Sequence, residues 1–248
     1  PQRDGGERPM TETYLRGTDL RRTFGDVTAL AGVSIEIPAG SVVALVGPNG
    51  SGKTTLLRIL SRLLSPTDGS VTYEGPPAVR PLGYLPQAPA FRPGFTAAET
   101  AAFYARLVDD DPTELLERVG LGGVPDRPVE GLSGGMTRLL GIAQSLAGDP
   151  PVLALDEPAS GLDPTMSRRV FDIVEALSDD GHAVVVTSHD LPLVERAADR
   201  IVVLDRGAVV AADTPEGLRE RTGGPLYETF TALVDTDDEV ATRTEATR

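Results

Sequence analysis

Cysteine is absent from the 248-residue sequence, and lysine occurs only once, as Lys53. A chain without cysteine forms no disulfide and no thiolate metal site, which excludes relatives that bind zinc through cysteine. No apolar stretch approaches the roughly 18 residues that a membrane-spanning helix needs. The longest apolar runs, such as Ala183–Thr187, have the length of strands. Neither a secretory signal nor an internal repeat is visible.

The sequence is strongly acidic, with 37 acidic and 23 basic residues and a formal net charge of −14. Nucleic acid is not an expected partner, because phosphate backbones are bound by clustered Lys and Arg. Nearly all the basic residues are arginine. A GC-rich genome explains this bias, and so does adaptation to high salt through an acidic, well-hydrated surface. Composition leaves both explanations open.

Apolar runs of strand length alternate with segments of helical periodicity through most of the chain, which predicts an α/β fold with a mostly parallel sheet. The predicted strands are Val42–Val46, Val152–Leu155, Ala183–Thr187, Ile201–Asp205 and Ala208–Ala212. The predicted helices between them are Thr54–Leu64, Met166–Leu177 and Leu191–Ala198. Arg206 and Gly207 predict a hairpin turn between the last two strands.

Residues 90–131 differ from the rest, because they contain two helical patterns and no convincing strand. The helices are predicted at Ala97–Val108 and Thr113–Val119, and we interpret residues 90–145 as a helical subdomain inserted into the α/β core. The ends of the chain, 1–9 and 235–248, are polar and lack apolar periodicity, which predicts disorder. A single folded domain is accordingly expected to span 10–234.

A glycine-rich segment joins the first predicted strand to the first predicted helix. It reads Gly47-Pro48-Asn49-Gly50-Ser51-Gly52-Lys53-Thr54-Thr55 and fits the pattern G-x-x-x-x-G-K-[ST]. Glycines let such a loop turn its backbone N–H groups toward phosphate oxygens, and the following helix N-terminus attracts the same anion. All nine residues are therefore candidate ATP ligands. We expect Lys53 to reach the β- and γ-phosphates and Thr54 to ligate Mg²⁺.

A second predicted strand, Val152–Leu155, ends in two adjacent carboxylates. Asp156 is placed to hold Mg²⁺ directly or through water. Glu157 is placed to polarise the attacking water as a general base, a role that contributes about 10²–10⁴ in rate. Combined with the phosphate loop, this pair predicts a P-loop nucleoside triphosphatase.

The pentapeptide Leu132-Ser133-Gly134-Gly135-Met136 narrows the prediction further. With it the sequence resembles the ABC ATPase family, and the resemblance runs from about Tyr14 to Phe230. The resemblance implies a P-loop core with an antiparallel N-terminal β part. It also implies that Ser133, Gly134 and Gly135 bind the ATP held by a second subunit, at a helix N-terminus.

Four further residues match motifs of that family. The resemblance implies that Phe24 stacks on adenine and that Asp163 lies in the loop linking the two ATP sites. It implies that Gln87 senses Mg²⁺ and water and couples to the membrane partner, and that His189 contacts the γ-phosphate. The candidate catalytic residues are thus Glu157, His189, Gln87 and Lys53, and the candidate metal ligands are Thr54, Gln87 and Asp156. The other histidine, His182, is predicted to lie at the surface.

The sequence departs from the family pattern at a few positions, with Met136 in place of Gln, Leu139 in place of Arg and Asp213 in place of Gly. The segment between Gly75 and Leu82 is also short. None of these changes removes a catalytic group, so we expect an active ATPase.

The resemblance implies a transporter subunit in which ATP closes a dimer and drives a separate integral membrane permease. A homodimer is expected because every motif is intact. The subunit would lie in the cytoplasm, held on the inner face of the cell membrane by its permease. Met136, Gln144 and the segment Gly83–Gln87 resemble the exporter-type branch, which favours export. The alternative is a soluble ABC ATPase of the iron–sulfur assembly type.

Overall fold

The computed structural model describes residues 12–234. Both ends that were predicted to be disordered, 1–9 and 235–248, lie outside the described residues.

The centre of the fold is a six-stranded sheet in which five neighbouring strands are parallel. In spatial order these strands are β5 (Leu82–Leu85), β6 (Val152–Leu155), β7 (Ala183–Thr187), β3 (Val42–Val46) and β8 (Arg200–Asp205). At one edge β9 (Ala208–Asp213) pairs antiparallel with β8 across the predicted turn. Every residue of β3, β6 and β7 is buried, as expected for parallel strands covered on both faces.

A smaller antiparallel sheet holds the N-terminal part of the chain. Its strands lie in the order β2 (Val27–Pro38), β1 (Thr13–Phe24) and β4 (Asp68–Tyr73). Helix α1 (Lys53–Leu60) packs between the two sheets, where Leu56 and Leu57 are fully buried. The predicted combination of a mostly parallel sheet and an antiparallel N-terminal part is confirmed.

Seven more helices follow, and most of them contribute to a second apolar core on the other face of the large sheet. They are α2 (Ala97–Ala105), α3 (Pro112–Arg118), α4 (Gly134–Leu146), α5 (Pro164–Asp179), α6 (Leu191–Ala197), α7 (Pro215–Thr222) and α8 (Leu226–Val234). Leu115, Leu139 and Leu146 belong to the same core cluster as Val42 and Leu153. The helical segment is therefore packed continuously onto the sheet.

The first helix is shorter than its sequence pattern predicts. It ends at Leu60, where the Ser61 hydroxyl donates to the Leu57 carbonyl at 2.8 Å and Arg62 adopts a left-handed φ of 57°. By contrast, α2 begins where predicted, because Thr96 and Glu99 form a reciprocal capping box. Within residues 12–234, no helix is long and apolar enough to cross a membrane.

Candidate active site

The phosphate loop leaves the end of β3 and turns into α1 by passing very close to neighbouring backbone. A Cβ on Gly47 would lie 2.2 Å from the Leu204 carbonyl oxygen, and one on Gly52 would lie 2.5 Å from the Ala29 oxygen. Gly52, the N-cap of α1, also has a left-handed φ of 102°. These two positions therefore require glycine, and the loop path depends on them.

The Lys53 side chain is buried against the phosphate loop. Its Nζ donates to the carbonyls of Gly47 at 2.7 Å and Pro48 at 2.9 Å. Burial lowers the pKa of the Lys53 ammonium, while Glu157 and Asp156 oppose that shift. The first turn of α1 contains no acidic residue, so nothing competes with an anion for the positive end of the helix.

The carboxylate of Asp156 collects hydroxyl groups from three different elements. Its Oδ1 accepts from Thr54 at 3.2 Å and from Thr187 at 2.7 Å, and its Oδ2 accepts from Tyr84 at 3.5 Å. Burial, together with the Asp156 charge, raises the pKa of Tyr84 to about 12. Tyr84 therefore stays a neutral donor. A carboxylate and a threonine hydroxyl side by side form an oxygen donor set that suits Mg²⁺.

Glu157 follows Asp156 in a conformation that is rare for glutamate, with a φ of 48°. Its N–H donates to the Thr187 hydroxyl at 2.8 Å, and its Oε1 lies 2.8 Å from His189 Nδ1. Burial raises the pKa of the Glu157 carboxyl, while His189 and Lys53 act in the opposite direction. A buried carboxylate with a raised pKa beside a phosphate loop has the properties of a general base.

The Ser-Gly-Gly segment lies at the start of α4. Ser133 is the exposed N-cap, and its hydroxyl accepts from the Met136 N–H at 3.2 Å. A Cβ on Gly135 would lie 2.6 Å from Met166 Cγ, whereas one on Gly134 would meet nothing within 4 Å. Across residues 12–234, no hydrogen bond joins this segment to the phosphate loop.

Comparison with known proteins agrees with this geometry. A family model described as ABC transporter matches residues 30–160, which include the phosphate loop, the Ser-Gly-Gly segment and both carboxylates. The chain belongs to the ABC transporter family. It is an ATP-binding subunit that hydrolyses ATP.

Individual ABC proteins match over most of the chain. The daunorubicin resistance ATP-binding protein DrrA3 of Streptomyces coeruleorubidus is 36% identical over 229 residues, covering 87% of this chain and 72% of its own length. The phosphonates import ATP-binding protein PhnC 2 of a Synechococcus strain is 36% identical over 242 residues, with coverages of 86% and 90%. A dimeric ATP-binding cassette in a post-hydrolysis state with ADP and Pi superposes with a TM-score of 0.71 at 25% identity, covering 81% of this chain and 98% of its own.

The remaining motif residues of this ABC chain lie at the borders of the site. The side chain of Gln87 is exposed, and its backbone oxygen accepts from Arg138 at 2.5 Å. Asp163 is also exposed, and its side chain caps α5 by accepting from Thr165 and Met166 N–H groups. Phe24 ends β1 with 47% of its surface exposed, and the Arg22 guanidinium lies 4.5 Å from its ring centroid. The chain therefore assembles the phosphate loop, Asp156, Glu157 and His189, but not these three side chains.

Two contributors to the site were not predicted from the sequence. Thr187 was assigned only to a strand, although its hydroxyl contacts both carboxylate residues. The sequence pattern predicts no role for Arg138, but it is buried and donates to the backbone oxygens of Pro86, Gln87 and Ser160. Burial lowers the pKa of this guanidinium. Thr187 bonds to the Asp156 carboxylate and the Glu157 N–H, and Arg138 bonds to backbone oxygens. All these partners are distant in sequence, so a local pattern provides no signal for them.

The prediction that His182 lies at the surface is wrong. Its side chain is only 6% exposed, its Nδ1 lies 2.9 Å from the Pro150 oxygen and its Nε2 lies 3.1 Å from Arg118. Its position after a glycine turn resembles a surface site, but α3 brings Arg118 over it. His182 thus has a structural role far from the ATP site.

Proposed function

We propose that two copies of this chain close on two ATP molecules and that this motion drives transport through a separate integral membrane permease. In each site the phosphate loop of one copy would face Ser133, Gly134 and Gly135 of the other. The single observation that carries this proposal is the position of the Ser-Gly-Gly segment. Ser133 and Gly134 are exposed at a helix N-terminus while Gly135 is buried, and within residues 12–234 the segment has no hydrogen bond to the phosphate loop of its own chain. Such an N-terminus attracts an anion, and the anion would come from the partner copy.

Within each site we assign roles from the contacts described above. The loop Gly47–Thr55 binds the phosphates, with Lys53 as the point charge for the terminal ones. Glu157 activates the attacking water, and His189 is hydrogen-bonded to Glu157 and exposed toward the γ-phosphate. Phe24 supports adenine, and Asp163 lies near the second site.

Thr54 and Asp156 form the best-matched donor pair for Mg²⁺, since their oxygens already lie 3.2 Å apart. Gln87, whose side chain is exposed at the surface, is the third proposed Mg²⁺ ligand. When bound, Mg²⁺ would supply positive charge to the phosphate oxygens. The protein groups hold the hydroxyl and carboxylate oxygens in place before nucleotide binding.

Export is the proposed direction of transport. A daunorubicin resistance protein and a phosphonate import protein match this chain at the same identity, 36%, so overall similarity does not distinguish the two directions. Met136 and Gln144 resemble the exporter-type branch and favour export. The subunit would then work in the cytoplasm, attached to the inner face of the membrane through its permease, without contact with nucleic acid.

Mixing two inactive variants tests whether each site is shared between two copies. Lys53→Ala removes the loop charge and Ser133→Arg blocks the opposite face, so each variant alone should hydrolyse little ATP. A mixture contains heterodimers with one site that combines the intact loop of one copy with the intact Ser-Gly-Gly segment of the other. Phosphate release should therefore recover part of the wild-type turnover.

The matched control mixes Lys53→Ala with the double variant Lys53→Ala/Ser133→Arg, whose heterodimers have no intact site. That mixture should stay inactive. Recovery in the control, or no recovery in the test mixture although both variants bind to wild-type copies, would contradict the shared site.

A further inference from the structure

Thr187, the last residue of β7, connects the two carboxylate residues of the site. Its side chain is fully buried, with no exposed surface. The hydroxyl accepts from the Glu157 N–H at 2.8 Å and donates to Asp156 Oδ1 at 2.7 Å. One hydroxyl therefore uses both its donor and an acceptor position on two consecutive residues that directly follow the neighbouring strand β6.

The hydrogen bond from the Glu157 N–H to Thr187 holds a backbone conformation that is unfavourable for glutamate. A φ of 48° places Glu157 in the left-handed region, which non-glycine residues rarely adopt. The N–H of Glu157 is bound by Thr187, and its carbonyl accepts from the Ser160 N–H at 3.1 Å. The carboxylate then points to His189. Thr187 thus holds the backbone N–H of Glu157, while the Glu157 carboxylate remains directed to His189.

The contact with Asp156 concerns the rotation of its carboxylate. Oδ1 accepts from both Thr187 and Thr54, whereas Oδ2 accepts only the longer bond from Tyr84. The Thr187 bond is the shortest of the three and comes from the adjacent strand β7. It therefore sets which oxygen faces α1 and which faces Tyr84.

We infer that Thr187 is a positioning residue for ATP hydrolysis, which holds Glu157 in its strained conformation and sets the rotation of Asp156. This inference rests on the proposed role of Glu157 as the base. Thr187 is fully buried and its hydroxyl is bonded to Glu157 and Asp156, so its removal acts on the chemical step through those two residues. Nucleotide affinity depends mainly on the loop Gly47–Thr55, and within residues 12–234 the Thr187 hydroxyl makes its hydrogen bonds to Glu157 and Asp156 rather than to that loop.

Three variants test this inference. Thr187→Val keeps the shape but removes the hydroxyl, and Thr187→Ser keeps the hydroxyl. Misplacement of a catalytic group by about 1 Å costs up to ~10²-fold in rate. We therefore expect Thr187→Val to lower kcat by about 10- to 100-fold while KM and the Kd for a fluorescent ATP analogue stay within about 2-fold. Thr187→Ser should restore most of kcat.

Thr100→Val is the matched control, because Thr100 is equally buried and donates to the Thr96 carbonyl at 2.9 Å on α2, away from the site. Its thermal unfolding midpoint should fall about as far as that of Thr187→Val, with kcat unchanged. A Thr187→Val enzyme with wild-type kcat, or a loss that Thr187→Ser does not relieve, would overturn the inference.

Glu157→Gln separates failure of this inference from failure of the proposed base. If Glu157→Gln turns over normally, the role of Glu157 is wrong and the inference falls with it. If Glu157→Gln is inactive but Thr187→Val is normal, only the inference fails. If both hold, adding Thr187→Val to Glu157→Gln should lower the residual turnover by much less than the single change lowers that of the wild type, because both act on the same group.

Discussion

The two halves of the proposed ATP site, the phosphate loop with its carboxylates and the Ser-Gly-Gly segment, differ sharply in burial and in their contacts within this chain. At the phosphate-loop half, Lys53, Asp156 and Glu157 are buried, and each is held by partners within the chain: Lys53 by carbonyls of its own loop, Asp156 by the Thr187 and Thr54 hydroxyls, and Glu157 by His189. At the Ser-Gly-Gly half, Ser133 and Gly134 are exposed, and the side-chain hydrogen bonds that residues 12–234 show for Ser133 stay within its own helix: its hydroxyl accepts from the Met136 N–H, and the Thr137 hydroxyl donates to its carbonyl.

This difference suggests that the buried half serves the chemical step and the exposed half serves the pairing of two copies. The buried half is organised by one chain alone, so its residues are in place before any partner arrives. The exposed half offers a helix N-terminus and one hydroxyl to a ligand that another copy would bring. Changes in the first half should therefore alter the chemical step, while changes in the second should alter pairing or local stability.

The largest expected effect comes from Glu157→Gln, which removes the proposed base but keeps the size of the side chain. Turnover should fall by about 10²–10⁴-fold, whereas ATP binding should persist and an ATP-dependent dimer should accumulate. High salt should favour that dimer by screening repulsion between two chains of −14 each.

Phosphate release and static light scattering, with and without ATP at low and high salt, measure both parts of this prediction. Glu114→Gln, an exposed carboxylate on α3, is the control and should behave as wild type. A variant that stays monomeric in all four conditions, or that keeps wild-type turnover, would contradict the division between the halves.

A smaller effect is expected on the pH dependence of turnover. Burial raises the pKa of Glu157 and His189 lowers it, and the base must be deprotonated to act. Removing the histidine with His189→Gln should therefore raise the pKa of Glu157 further and move the acid limb of kcat to higher pH, besides lowering the maximum.

The control for this shift is His182→Gln, which changes the other histidine far from the ATP site. Its profile should keep the wild-type acid limb. The same acid limb in His189→Gln would show that the 2.8 Å contact between His189 and Glu157 does not influence the proton of the base.

The smallest effect distinguishes two adjacent glycines in the exposed half. Gly135→Ala places a methyl group 2.6 Å from Met166 Cγ, whereas Gly134→Ala enters open space. We expect Gly135→Ala to lower the free energy of unfolding by about 1 kcal/mol or more through overpacking, and Gly134→Ala to leave it nearly unchanged. Urea denaturation of the isolated chains measures both, and equal losses would contradict the packing of α4 against α5.

Strands and the phosphate loop could be predicted because their determinants are local. The bounds of β3, β6 and β7 agree with the sequence prediction, since continuous apolar runs are what two-sided burial requires. By contrast, the sequence predicts an antiparallel N-terminal β part but not where its strands β1 and β2 begin and end. Their pairing contains several register shifts, and exposed polar residues interrupt the alternation.

Side-chain partners were harder to predict, because they depend on segments that are distant in sequence. Nothing near His182 indicates that Arg118 covers it, and nothing near Thr187 indicates that its hydroxyl meets Asp156. The family motifs predict which residues carry chemistry, including Asp156 and Glu157. They did not identify the residues that hold those groups in position.

Lys53 has a further consequence for how this protein can be studied. It is the only side-chain amine in the whole sequence, and the loop covers all but 8% of its surface. Burial lowers the pKa of this amine, while Glu157 and Asp156 oppose that shift. A reagent that acylates lysine side chains can therefore modify this sequence at Lys53 alone. The mass of the peptide that contains Lys53 then reports whether the reagent could reach the phosphate loop. The natural sequence thus contains its own reporter, without any engineered label.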